Sequence, residues 1–119
     1  MAKFRFEDME IWQLAVEIGN QLFDIADDLE RRKLYRFADQ MRGAALSVSN
    51  NIAEGSGSDS DKEFAQFLNI AKRSSFEDAN MIIVFKQRGL ISMSVGESLL
   101  ESLDKECRKI QNFKKQLRS

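Results

Sequence analysis

The amino-acid sequence predicts an all-α protein, and more specifically an antiparallel up-and-down four-helix bundle. Its 119 residues contain no proline and only six glycines, so few positions would interrupt a helix. Apolar residues recur at spacings of three and four in four successive segments, which is the periodicity of amphipathic helices. Short polar connections between the segments indicate that neighbouring helices are antiparallel. We expect a single domain over residues 1–119, with helices at 8–29, 33–54, 60–88 and 94–118.

The boundary between the first two predicted helices is marked by a change of phase, because neither glycine nor proline separates them. Asp8 is the expected N-cap of helix one. Leu29 and Leu34 are both apolar, and a separation of five residues rotates the apolar face by roughly 140° at about 100° per residue. One straight helix could not bury both side chains. We therefore expect a turn within residues 30–33.

Clearer signals mark the end of helix two, both ends of helix three and the start of helix four. A Gly/Ser-rich segment ends helix two, and Ser60 with Glu63 has the spacing of a capping box at the start of helix three. Gly89 is placed to stop that helix. Ser94 and Glu97 repeat the capping-box spacing, so helix four is predicted to begin there.

Helix one carries a second apolar row beside the one that would face the bundle core. Its members are Trp12, Val16, Gly19 and Phe23. The row is either the border of a wide core stripe or a surface for subunit packing. We favour subunit packing, because two large aromatic residues in register with a glycine would allow close approach of another copy. The apolar run at 81–85 in helix three supports the same prediction of a homo-oligomer.

Few residue types suited to catalysis are present. The chain has no histidine, which excludes Ser-His and Cys-His nucleophilic pairs and imidazole metal sites. The single cysteine, Cys107, follows the apolar register of helix four and is interpreted as a core thiol. Four acids near the end of helix one form either a solvated surface or a cation site. They are Asp24, Asp27, Asp28 and Glu30. We predict no catalytic residue, no metal site and no cofactor.

The charge distribution restricts how nucleic acid could bind. The formal net charge is -1, so binding to a polyanion must depend on local clusters of bases. One cluster lies within an arc of about 120° on helix four, and another lies at the start of helix two. Their members are Arg108, Lys114, Lys115 and Arg118 on helix four, and Arg31, Arg32, Lys33 and Arg36 near helix two. Each cluster is either a solvated face or a contact for phosphates, and the cluster near helix two could extend the patch on helix four.

The sequence contains no obvious signal for a membrane or for export. No stretch approaches the roughly 20 apolar residues of a membrane span. The amino-terminal residues also lack the apolar segment of a signal peptide. We expect a cytoplasmic protein.

A polar run at 47–55, near the end of helix two, is unusual for a helix because Ser and Asn are weak helix formers. It either terminates and caps the helix or forms a buried hydrogen-bonding cluster against neighbouring helices. The residue types alone do not distinguish these two interpretations.

Several strings in this chain are informative when taken together, and they occupy residues 6–12, 40–45, 47–55, 63–64 and 67–71. The most specific string is Asn51, Ile52, Ala53, Glu54 and Gly55, and the string at 40–45 contributes Gln40 and Arg42. Together these strings resemble the four-helix bundle proteins encoded in intervening sequences of bacterial 23S ribosomal RNA genes. The resemblance implies a homopentameric bundle without assigned enzymatic activity. A related branch, the accessory proteins of diversity-generating retroelements, implies association with reverse transcriptase and nucleic acid.

These observations lead to two expectations from different functional classes. The first is a non-catalytic homo-oligomeric adaptor that contacts RNA or DNA through its basic clusters. The alternative is a structural scaffold that binds another protein and has no affinity for nucleic acid.

Overall fold

The computed structural model describes residues 1–117, and within them the chain forms four long α-helices. A one-turn 3₁₀ helix at Arg5–Asp8 precedes them. The long helices are α1 at Glu10–Arg31, α2 at Tyr35–Ser56, α3 at Asp61–Gln87 and α4 at Met93–Gln116. Each packs against the next, and α4 also contacts α1, which closes an up-and-down bundle with extents of 46 × 30 × 20 Å. The predicted all-α, four-helix fold is confirmed.

The helix ends differ from the predicted ends by one or two residues, and two predicted caps are wrong. Asp8 does not cap α1, because it closes the 3₁₀ turn and the extended Met9 takes the cap position without a side-chain bond. Helix α4 is capped by Ser92, whose Oγ accepts from the backbone N–H of Val95 at 3.2 Å, so the box beginning at Ser94 is not used. Ser60 caps α3 as predicted, with its Oγ 3.1 Å from the Glu63 nitrogen.

Left-handed residues terminate α1 and α3. The expected break after α1 is confirmed, with Lys33 at φ 64 and the Leu34 N–H donating to the Leu29 carbonyl at 2.9 Å. Gly89, at φ 72, occupies the same position after α3. Such residues satisfy carbonyls that the helix leaves unpaired, which is why the chain can reverse within a few residues.

The buried apolar residues of the described chain form two clusters along the bundle. One lies toward the α1–α2 and α3–α4 turns and includes Leu22, Met41 and Leu103. The other lies toward the chain termini and includes Phe64 and Ile110. Burial of each large apolar side chain contributes about 1.5–3 kcal/mol, so these clusters supply most of the stabilisation. Polar side chains occupy the middle of the bundle between them.

Candidate interfaces for nucleic acid and subunits

The two predicted basic clusters lie at opposite ends of the bundle. At the turn end, which carries the α1–α2 and α3–α4 turns, Arg32 Nη2 donates to the Leu90 carbonyl at 2.6 Å. At the terminal end, which carries the amino terminus and the end of α4, Lys109 Nζ lies 3.0 Å from Glu10 Oε2. Because the bundle is 46 Å long, the helix-two cluster does not extend the helix-four patch within one chain. That expectation is wrong.

The turn-end cluster is largely engaged in contacts within the chain. Asp28 Oδ2 lies 2.8 Å from Arg32 Nη2, and its Oδ1 lies 3.8 Å from Arg31 Nη2. Lys33 forms the left-handed turn residue, and Arg36 is exposed on the first turn of α2. These bonds give Arg32 a structural role, since it fixes both turns at this end.

The terminal-end cluster lies beside a groove between α3 and α4. Lys114 is half-buried in this groove, while Lys115 is exposed on the adjacent surface. We call it the terminal groove. It is lined by Asp61, Lys62, Gln66, Asn69, Lys114 and Leu117, among others. Arg108 lies nearer the middle of α4 than Lys114 does. Its Nη2 lies 3.2 Å from Asp104 Oδ2, and both side chains are mostly exposed. Arg118, the fourth predicted member, lies outside the described residues.

Lys62 was not among the residues predicted from the sequence. It lies on the first turn of α3, far from Lys114 in the chain, and only the antiparallel packing of α3 on α4 brings both residues to one groove. The amide side chains of Gln66 and Asn69 add hydrogen-bonding groups to the same wall. Ammonium and amide donors together are suited to phosphate and sugar oxygens.

The second apolar row of helix one is directed largely into its own chain. Gly19 is buried, and a Cβ at this position would overlap the backbone carbonyl oxygen of Ala45 on α2. The close approach that we assigned to another subunit is therefore made by α2, and that reasoning was wrong. Phe23 packs on the turn-side cluster, and the Trp12 ring lies 5.1 Å from the Phe6 ring. The interpretation of this row as a wide core stripe accounts for these contacts.

A different apolar surface is exposed on α3. We call Phe76, Ile83 and Val84 the α3 apolar face; their exposed fractions are 62%, 40% and 42%. Phe76 and Val84 of this face line a shallow groove together with Gln40 of α2 and Asn80 of α3. The apolar run at 81–85 was the sequence signal for this surface. Sequence reasoning missed Phe76, because single apolar residues outside a helix stripe are common at protein surfaces.

Residues of the family motif contact both helices that pack against α2, namely α1 and α3. Arg42 bridges from α2 to α1, with Nη2 3.0 Å from Asp27 Oδ1 and Nη1 3.0 Å from Glu30 Oε1. Gly55 admits the α3 aromatic residues, since a Cβ there would come within 2.6 Å of the Phe67 Cβ. Ile52 is fully buried, whereas Ala53 is half-buried and Glu54 is exposed. The motif therefore serves packing at both ends of α2.

The polar run at 47–55 forms local hydrogen bonds within its own helix. Ser47 Oγ donates to the Ala44 carbonyl at 3.0 Å, and Asn51 Nδ2 donates to the Ser47 carbonyl at 2.8 Å. Helix α2 continues through the whole run to Ser56. The run therefore does not end the helix, so the first of the two interpretations is wrong. The carbonyl groups that accept hydrogen bonds from Ser47 and Asn51 belong to α2 itself, so these bonds do not reach a neighbouring helix.

The candidate reactive groups are the acids near the end of α1 and the thiol of Cys107. Three of the four acids near the end of α1 pair with arginines, as described above for Asp27, Asp28 and Glu30. Within residues 1–117, no group of three or more His, Cys, Asp or Glu side chains could hold a metal ion. Cys107 is half-buried rather than in the core, and burial raises the pKa of its thiol, which disfavours the reactive thiolate.

Comparison with known protein families identifies the chain. Residues 7–112 match the model of a family described as 23S rRNA-intervening sequence protein. The chain belongs to this family. A search of curated proteins found no match. Among the described helices of this family member, none is both long and apolar enough to cross a bilayer.

Proposed function

We propose that this 23S rRNA-intervening sequence protein is a non-catalytic, cytoplasmic homo-oligomeric adaptor that binds RNA or DNA through the terminal groove. The observation that carries the proposal is the convergence of Lys62 and Lys114 on one groove, with Lys115 beside it. Each phosphate contact releases counterions, so a few local lysines can bind a polyanion although the net charge of the chain is -1.

Self-association would strengthen such binding. The family resemblance implies a pentamer, in which each copy presents one terminal groove. Several weak contacts on one nucleic acid raise the overall affinity by about 10²–10⁴ through effective concentration. The exposed α3 apolar face supports the assembly, because contiguous exposed apolar residues often mark protein interfaces.

The test compares charge reversal at the two ends of the bundle. Fluorescence anisotropy would measure binding of a structured RNA and a duplex DNA at about 50 and 200 mM salt. We expect Lys62→Glu/Lys114→Glu to weaken binding and to reduce the salt slope by about 2, since two phosphate contacts are lost. The matched control is Arg36→Glu/Arg88→Glu, which makes the same charge change at exposed turn-end positions. An equal loss in both variants would show that the groove is not the binding site.

The alternative is a scaffold for another protein, and the α3 apolar face is the observation that favours it. Absence of nucleic-acid binding by the native chain at low salt would favour this function.

Sedimentation velocity of Phe76→Glu tests whether the same face joins subunits. Met93→Glu is the control, because the exposed fraction of Met93 is 59% and that of Phe76 is 62%. We expect only the first variant to dissociate. An unchanged sedimentation coefficient would exclude Phe76 from the subunit interface.

A further inference from the structure

Two buried carboxyl groups lie in the middle of the bundle. Asp78 of α3 is 3% exposed and Glu106 of α4 is 0% exposed. Both line one enclosed space between the helices. We call this pair the acidic layer. Small and apolar residues of α1 and α2 close the space from the other side, among them Gly19 and Ala45.

The acidic layer has few means of stabilising negative charge. Neither carboxylate oxygen of Glu106 has a hydrogen-bond donor among the described residues. The enclosed space is too narrow for a water molecule. An ionised Glu106 carboxylate would lose its hydration without gaining a counterion or a hydrogen bond, which strongly disfavours the folded state. The neutral acid can be buried at much lower cost.

The charged groups around the layer do not compensate for this burial. Among the described residues that line the space, α1 and α2 contribute no ionisable side chain. On α3, Glu77 adds repulsion, so burial and this neighbour raise the pKa of Asp78 to about 7. On α4, Lys109 favours the charged form of Glu106 but pairs with Glu10, and burial raises the pKa of Glu106 to about 8. The Cys107 thiol adjoins the layer and lies partly exposed on the same helix.

We propose that the acidic layer is a proton-controlled joint at which ionisation of Asp78 and Glu106 loosens the α3–α4 hairpin from the α1–α2 hairpin. Both acids belong to one hairpin, and the apolar wall that they face belongs to the other. Ionisation therefore draws water to the contact between the hairpins. The layer also lies between the two apolar clusters. Water that enters at the layer would therefore divide the apolar core into two parts along the length of the bundle.

The sign of the pH dependence follows from proton binding. In the unfolded chain the carboxyls ionise near their ordinary pKa values of 3.8 and 4.5. The folded state retains these protons to higher pH, so stability falls as pH rises from these values and levels off above about 8. Each carboxyl should increase the unfolding equilibrium constant about tenfold per pH unit inside its window.

Urea unfolding between about pH 5 and 9 tests the joint. This range includes the upper part of the pH interval in which stability should fall and the levelling off that follows it. We expect the midpoint of the native protein to fall with pH, and that of Asp78→Asn/Glu106→Gln to change little. The control Glu63→Gln/Glu101→Gln neutralises exposed acids on the same two helices and should retain the fall. The same fall in the acidic-layer variant as in the native protein would overturn the proposal.

Two further measurements use the folded protein. Carbon-13 NMR of the carboxyl groups should show Glu106 protonated at pH 6 in the native protein, and an ionised Glu106 there would also overturn the proposal. Alkylation of Cys107 at alkaline pH should be slower in Asp78→Asn/Glu106→Gln than in the native protein, because the joint stays closed. Electrostatics alone predicts the opposite, since the Glu106 charge raises the pKa of this thiol. Faster alkylation in the variant would therefore refute the loosening.

Discussion

Replacing Gly19 by alanine tests a close contact between α1 and α2. The added methyl group would overlap the Ala45 carbonyl oxygen, and a backbone atom cannot move aside as a flexible side chain could. The two helices would have to separate, and a gap of about 0.5–1 Å forfeits a quarter to a half of the dispersion attraction across the seam. Overpacking of this kind costs about 1–3 kcal/mol.

The opposing effect is helix propensity, which favours alanine over glycine by about 1 kcal/mol. We therefore expect Gly19→Ala to lower the free energy of unfolding by up to about 2 kcal/mol, with the melting temperature falling by about 4 °C per kcal/mol. Gly43→Ala is the matched control on α2, because a Cβ there would meet nothing within 4 Å. It should be stabilising by about 0.5–1 kcal/mol. Urea unfolding followed by circular dichroism measures both, and a Gly19→Ala variant stabilised as much as Gly43→Ala would refute the close packing.

Four other substitutions test the local structure by the same unfolding assay. Ser92→Ala should cost about 1 kcal/mol and Ser94→Ala much less, because only the first serine caps α4, and equal effects would contradict that cap. Gly55→Ala should destabilise by about 1–3 kcal/mol through its overlap with the Phe67 side chain, so a neutral result would oppose this packing. Arg42→Ala should lower stability slightly, and less at high salt, since its ion pairs are partly exposed; no dependence on salt would indicate a role in packing.

The placement of the helices followed largely from the sequence. Apolar spacing located each helix, and the phase change between Leu29 and Leu34 located a turn that neither glycine nor proline marks. The caps were less certain, because more than one polar residue near a helix start can satisfy its free N–H groups. The two serines before α4 illustrate this ambiguity, and the structure selects Ser92.

The acidic layer shows a limit of pattern reasoning within one helix. Glu106 lies three residues after Leu103 and four before Ile110, so its spacing matched the buried stripe of α4. Because charged residues are rarely buried without a partner, the pattern favoured Cys107 for that position. Only the side-chain packing shows that Glu106 is the more deeply buried of the two.

The sequence by itself determined the fold class, the helices and the family, because these depend on periodicity and on strings of neighbouring residues. Tertiary structure decided what each helix face contacts. It directed Gly19 toward Ala45 of the same chain, placed the basic clusters at opposite ends and brought Lys62 beside Lys114. The physical reason is that helix period fixes which residues share a face, whereas the partner of that face depends on how distant segments pack in space.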